Sequence, residues 1–437
     1  MVVGPVLIVG AGVFGLSTAL ELVKKGHFVY VLDKHPPPSP WSAACDFNKI
    51  IRCEYADPIY AEMAIEALHF WRSDPLFKQS YDECGRLLVT PKEHRGRIEF
   101  ERKGIEVLKT LGEGNRFCFF SGGAEISRLI PGFENNSIPP EQEVKYNPDC
   151  GLGRSHQTLK DVYKYLSSHP NVQFIFGEKG AAVGLKRYRS GEVGVITESG
   201  FVHSAGTVIL SLGANTAKIV NLENQQSATG LFVTHIQLSD EEYTKYRDIP
   251  VLFDAEMGYF FPPDLTTKIM KICLTGCGIK RSVTDPFDSR KQISLPRFHI
   301  ENPSDTFPKE LVQDIQRLLE KYVPELKEHR LFGSKICWIG DTKDTHFLID
   351  KVPYYKNLYV ATGDSGHGYK FFPNIGKYIV QKLDGVLANK IEELWKWTPR
   401  TNEECEDPAN SKWRVSKGKS KDITEIDFIT EVEVPKL

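Results

Sequence analysis

The chain has 437 residues, 41% hydrophobic and 26% charged, with a formal net charge of −2. That length exceeds one hydrophobic core, so two domains are expected. The near-neutral balance supplies no basic field for nucleic acid or an anionic membrane surface. Nine cysteines are scattered, with no C-x-x-C pair and no Cys/His cluster at zinc spacing, so a reducing compartment and no metal site are expected.

The first segment, "PVLIVGAGVFGLSTALELV" (5–23), is long and apolar enough to suggest a membrane span. Its regular glycines and the charged "KKGH" that follows favour a buried strand running into a buried helix, so the chain reads as soluble. Val6–Val9 is a short apolar run, as a central parallel strand should be. Gly10, Gly12 and Gly15, with Ala11, Val13 and Phe14 between them, spell G-x-G-x-x-G. The first glycine allows a tight turn, the second lets the backbone approach a pyrophosphate, and the third lets helix and sheet pack closely. The helix that begins near Val13 aims its free N–H groups at phosphate. A second strand, Phe28–Leu32, ends at Asp33 and Lys34, where the carboxylate can accept hydrogen bonds from ribose hydroxyls. Strand, glycines, helix, strand and acid in register predict a dinucleotide site. The acid disfavours NADP and leaves NAD and FAD open.

A proline-rich loop (34–48) follows, then a short strand near Ile50–Ile51. Asp57-Pro58 starts a helix, with the acid as N-cap and proline in the first turn. Residues 86–90 read as a strand, 93–112 as a helix, 131–150 as a polar surface excursion and 157–168 as a helix. A buried strand, Thr207–Leu212, ends at Gly213. Residues 230–242 give an alternating strand and a capping box from Ser239 to Glu242. "MGYFFPPDLTTKIMKICLTG" reads as an antiparallel hairpin. Helix 308–323 follows, then strands near Ser334–Trp338 and Leu358–Ala361, a helix from Phe371 to about Leu383, and a charged tail. This order predicts an α/β nucleotide domain built from residues 1–57, 151–225 and 331–395. A mainly antiparallel substrate domain, 58–150 and 226–330, is interleaved with it, and 396–437 form the tail.

Four stretches in order, the glycine fingerprint, "NKIIRCEYAD" (48–57), "KICWIGDT" (335–342) and "NLYVATGDSGHGYKFFPNIGKYIV" (357–380), resemble the flavin-dependent amine oxidases of the monomeric sarcosine oxidase family. The fungal members acting on saccharopine, pipecolate or fructosyl amino acids are closer still. The resemblance covers about residues 5–400. It implies a glutathione-reductase-like Rossmann domain carrying FAD, and a substrate domain whose sheet roofs the flavin, the architecture of D-amino-acid oxidase.

The same resemblance implies roles for individual residues. Cys337 matches the cysteine joined through sulfur to the 8α-methyl of the flavin. Lys271 matches the lysine that promotes reaction of reduced flavin with oxygen. Arg52 and Lys370 match the substrate-carboxylate clamp, and Lys49 matches a basic residue lying against the flavin. Gly366, His367 and Gly368 resemble a loop close to the pyrimidine end of the ring. Ser42, Val183, Gly213 and Asp341 are also expected at the cofactor, and Arg414 at the substrate.

The reaction so implied is oxidation of an amine at a carbon next to nitrogen, with oxygen reduced to hydrogen peroxide. Fructosyl amino-acid oxidases typically follow the oxygen-activating lysine with Ile-Cys-Asp-Glu and lack an arginine at position 52. Here the stretch is Lys271-Ile272-Cys273-Leu274-Thr275, and Arg52 is present. Both departures favour saccharopine or pipecolate over an Amadori sugar. Pro435-Lys436-Leu437 resembles a peroxisomal import tripeptide, so import-receptor binding and a peroxisomal location are expected, with the cytoplasm as the alternative. The protein is expected to be a monomer whose partners are a small amino acid and O2. An NAD-dependent dehydrogenase or a non-catalytic flavoprotein would share the first motif but leaves the later ones unexplained.

Overall fold

Two kinds of strand pattern build two sheets: short runs apolar at every position, and long runs that alternate. The computed structural model describes residues 4–401 and 420–431. The first sheet has six strands in the order Leu348–Lys351, Leu358–Thr362, Thr207–Leu210, Val6–Val9, Val29–Leu32 and Val172–Ile175. All neighbours are parallel except the pair formed by the edge strand Leu348–Lys351. Val6 and Ile8 pack on one face against helices Val13–Lys24, Pro58–Ser73, Ser155–Ser167 and Ile375–Asp384. Leu7 and Val9 pack on the other, against Val193 and Val195 of a small antiparallel sheet. Burial on both faces is why these strands carry no polar alternation.

The second sheet runs Phe332–Thr342, Gln226–Gln237, Ile269–Lys280, Gly258–Phe260, Val251–Asp254, Arg86–Val89, Glu143–Asn147 and Cys118–Ser121, with Lys421–Asp422 paired to Ile269–Lys280. Its register puts Lys335, Val233, Cys273, Tyr259, Phe253, Leu88 and Lys145 in one lateral row. Side chains at every second position share a face. Cys337, His235, Lys271, Arg86 and Asn147 therefore lie on the same side as that row. The intervening residues, among them Ile272, Phe260, Leu252, Leu87 and Val144, form an apolar face covered by Ile315, Leu318, Leu319 and Tyr322 of helix Val312–Tyr322. One face of this sheet is core, and the other carries cations, thiols and aromatic rings.

Several expected boundaries change. Glu143–Asn147 is an internal strand with Val144, Lys145 and Asn147 buried, not a surface excursion. Its polar residues are satisfied on the cation-bearing face: Lys145 Nζ lies 3.3 Å from Glu101, and Asn147 donates to Glu54 at 3.0 Å. Helix Pro58–Ser73 joins the core of the first sheet, with Trp71 Nε1 donating to the Lys370 carbonyl at 2.8 Å. Phe332–Thr342 pairs in the second sheet rather than the first. Residues 58–150 and 331–395 thus each contribute to both bodies. Asp57 caps its helix by accepting from Ile59 N at 2.8 Å, and the Ser239–Glu242 capping box is formed. In the tail, Ile423, Ile426, Phe428 and Ile429 pack onto the second core.

Candidate active site

A cleft of about 1210 Å³, open mouth included, lies between the strand ends of the first sheet and the second sheet. Gly10 has φ +108°, and a Cβ there would sit 2.3 Å from the Ser211 carbonyl oxygen. A Cβ on Gly15 would sit 1.9 Å from the Gly10 oxygen, so only glycine lets the helix start this close to the turn. Gly12 meets nothing nearer than Ser42 Oγ at 3.8 Å, leaving its backbone open to the cleft. The first turn of the helix carries no acid, so its N–H groups and dipole remain available to an anion. Asp33 accepts from Ala11 N at 2.8 Å and His35 N at 3.0 Å. Burial raises its carboxyl above the ordinary value, and these backbone donors oppose the rise. Open glycine backbone at a helix start, with an acid at the end of the next strand, fits the pyrophosphate and ribose of a dinucleotide.

At the cleft-lining Lys49, three lysines converge on one carboxylate. Asp46 Oδ2 lies 2.6 Å from Lys271 Nζ and 2.9 Å from Lys49 Nζ, and its Oδ1 lies 3.8 Å from Lys335 Nζ. Lys271 also donates to the Asn48 carbonyl at 2.7 Å and stands 4.8 Å over the Phe261 ring. Burial pushes the Asp46 carboxyl up, but Lys271, Lys49, Lys335 and His235 together hold it well below the carboxylate range. Burial lowers Lys49, and Asp46 together with Cys337 and Cys273 more than reverses it. His235 is pushed down to about 4 by burial, so it is neutral. Cys337 is buried beside Val233 and Cys273, next in the chain to cleft-lining Trp338.

A second pair of basic side chains meets at Tyr55. The Arg52 guanidinium stands 4.4 Å over its ring, and Lys370 Nζ lies 5.6 Å from it. Arg52 donates to the Glu54 carbonyl, and Lys370 to the His367 carbonyl at 2.9 Å. Burial raises the Glu54 carboxyl, but Arg86, Arg52 and Asn147 bring it down to about 2. His367 Nε2 faces the Thr345 carbonyl at 2.8 Å and so carries the proton, which leaves Nδ1 to accept from Tyr55 OH at 3.1 Å.

Of the residues expected at the cofactor, Gly10, Gly12, Val13, Phe14, Asp33, Lys34, Ser42, Lys49, Gly213, Gly366 and Gly368 line the cleft. Lys34 is engaged by Glu198. Val183 is 43% exposed and lies outside the lining, which its neighbour Ala182 joins instead. Asp341 is buried. Arg414 and Pro435-Lys436-Leu437 lie outside the described residues. Sequence reasoning missed Asp46, Lys335 and the cleft acid Asp364. Asp364 accepts from Gly340 N and Gly366 N, each at 3.0 Å, and is raised to about 6 by burial. It also missed the stacked wall of Trp41 on Phe298, with centroids 4.7 Å apart. The available signal was parity: Lys335 stands two residues before Cys337, hence on the same face.

Comparison with known proteins agrees with this geometry. Residues 5–382 match the model of the FAD dependent oxidoreductase family. L-saccharopine oxidase of Schizosaccharomyces pombe is 36% identical over 427 residues, covering 94% of this chain and 95% of that one. Monomeric sarcosine oxidase of Bacillus sp. is 24% identical over 404 residues, 89% of this chain and 93% of that one. Among solved structures, fructosyl peptide oxidase from E. terrenum superposes with a TM-score of 0.87 at 30% identity, covering 97% of each chain. Amadoriase II from Aspergillus fumigatus gives 0.88 at 29%, covering 100% of this chain and 99% of that one. With its glycine cradle, acid-ended second strand and cation-bearing sheet face, this chain belongs to the FAD dependent oxidoreductase family.

Proposed function

We propose that this protein oxidises a secondary-amine amino acid, L-saccharopine in the first instance, with L-pipecolate as the smaller substrate of the same type. The observation that carries the reading is the meeting of Arg52 and Lys370 at Tyr55, two basic side chains from distant parts of the chain on one buried ring. The match to a saccharopine oxidase over nearly the whole chain supports the choice of substrate. FAD, held by the glycine cradle and Asp33, would supply the two-electron acceptor for a C–H next to nitrogen, with O2 as the final oxidant and the imine product hydrolysing in water. Arg52 offers a planar fork to the substrate carboxylate, and Lys370 offers a second donor. Lys271, fixed by Asp46, supplies a preorganised positive charge where negative charge develops on oxygen. The backbone N–H groups of 366–368 suit an electron-rich ring edge. Cys337 would hold the flavin covalently through its sulfur.

A second reading, oxidation of fructosyl amino acids, draws on the solved structures above. It is disfavoured at position 274, where Leu274 points into the apolar core, and at 275, where a threonine hydroxyl stands in place of the acid. The purified enzyme is expected to release hydrogen peroxide with L-saccharopine and to lose apparent affinity in Arg52→Met. Peroxide from fructosyl-valine alone would reverse the assignment. Acid-denatured protein should remain yellow, and Cys337→Ser should release its flavin; free flavin from the wild type would remove the tether. A peroxide-forming reaction suits a compartment with catalase. A fluorescent protein ending in Pro435-Lys436-Leu437 should therefore enter peroxisomes, and a diffuse signal would count against that location. Light scattering should give the mass of a monomer.

A further inference from the structure

An amino acid reaches this site at neutral pH as a zwitterion, yet the nitrogen must hold a free lone pair before its neighbouring C–H can leave as hydride. The ammonium proton therefore needs an acceptor near the carboxylate clamp. Glu54 is tied to Arg86 at 3.1 Å. Both nitrogens of His367 are engaged, by Thr345 and Tyr55. Asp46 is shared among three lysines. Lys370 differs from these. It is 5% exposed, packs between the Tyr55 and Phe371 rings at 5.6 Å from each, and hydrogen-bonds to the His367 carbonyl. No carboxylate among the described residues lies within ion-pair distance of it.

We propose that Lys370 enters the cycle as a neutral amine and takes the ammonium proton of the bound amino acid, an inference that rests on the carboxylate-clamp reading above. The N–H bond of the substrate breaks, a bond to Lys370 Nζ forms, and no electrons leave either partner. The new ammonium then faces the substrate carboxylate beside Arg52, so two adjacent cations exist only while an anion lies between them. The titratable and charged groups that face Lys370 are Arg52, Cys53, Glu54, Tyr55, Arg86 and His367. Burial first, then Arg52 and Arg86, hold its amine well below the ordinary lysine value, while Cys53 and Glu54 oppose them.

The test is calorimetric titration of the holoenzyme at neutral pH in buffers of different ionisation enthalpy. Methylthioacetate, a carboxylate without an ammonium, should draw about one proton per site from the buffer. 2-Aminoisobutyrate brings its own proton and has no α-hydrogen to lose, so it should draw none. Lys370→Arg should bind methylthioacetate with no uptake. Its kcat/KM for the amine substrate should fall about tenfold per pH unit below the substrate pKa, where the wild type stays level. Binding of methylthioacetate without proton uptake in the wild type, or equal uptake in Lys370→Arg, overturns the proposal. Failure of both ligands to bind would instead overturn the carboxylate clamp, and the proposal with it.

Discussion

Asp46 is a carboxylate with three lysines around it and a fully buried side chain. Breaking a buried ionic cluster by removing one member costs about 3–5 kcal/mol, because the remaining charges lose their counter-ion. Asp46→Asn should show a loss of that order in urea unfolding of the apoprotein at neutral pH. The folded pKa of Asp46 is depressed, so its contribution is fully present above the unfolded value of about 3.9 and is lost as pH falls through the folded one. The wild type should therefore have an acid-side loss of stability that Asp46→Asn lacks. Lys370 runs the other way. Its folded pKa is lowered, so the unfolded chain binds more protons up to about pH 10.4, and stability rises with pH across that window. Lys370→Met should flatten the rise and raise the melting temperature at neutral pH. Lys271→Met should slow reoxidation by O2 about 100- to 1,000-fold, as removal of a preorganised charge does elsewhere, while leaving the reductive half-reaction much closer to wild type. Stopped-flow traces of the two halves separate these effects, and equal losses in both would deny Lys271 a specific oxygen role.

Elements set where those residues stand. Parity along Ile269–Lys280 sends Lys271 and Cys273 to the cation-bearing face and Ile272 and Leu274 to the core, so a one-residue slip would exchange the two faces. Helix Val312–Tyr322 secures the register by covering the apolar face. Leu318→Ala should cost about 2–5 kcal/mol by denaturant unfolding. Gly15→Ala should abolish flavin binding while leaving secondary structure by circular dichroism largely intact, since the added carbon meets the Gly10 oxygen at 1.9 Å. Elements with strong local signals were legible in advance: the glycine turn, the Asp57 cap, the Ser239–Glu242 box and the helix ending at Tyr322. Glu143–Asn147 was not. Its Lys145 and Asn147 look like solvent residues until their buried partners Glu101 and Glu54 are known, and those partners are remote in sequence.

At the scale of the molecule, the cleft exists because two sheets of different character face each other, one lending strand ends and a helix start, the other a polar face. Its components were visible singly in the sequence. Their convergence was not, because no local pattern relates Asp46 to Lys271 and Lys335, or Arg52 to Lys370. The allocation of chain to bodies suffered for the same reason: helix Pro58–Ser73 and strand Phe332–Thr342 each cross to the body opposite the one their position suggests. No helix among the described residues is long and apolar enough to cross a membrane. Because the flavin would bridge both sheets, adding it to Cys337→Ser apoprotein at about 100 times its Kd should stabilise the whole fold by about 2.7 kcal/mol. Two melting transitions that respond separately would argue against a shared site. The most direct test is anaerobic mixing of the holoenzyme with L-saccharopine, L-pipecolate or fructosyl-valine while flavin absorbance is followed. Rapid bleaching by L-saccharopine, slowed strongly in Arg52→Met, is the predicted result. Bleaching by fructosyl-valine alone, or none by any amine, would contradict it.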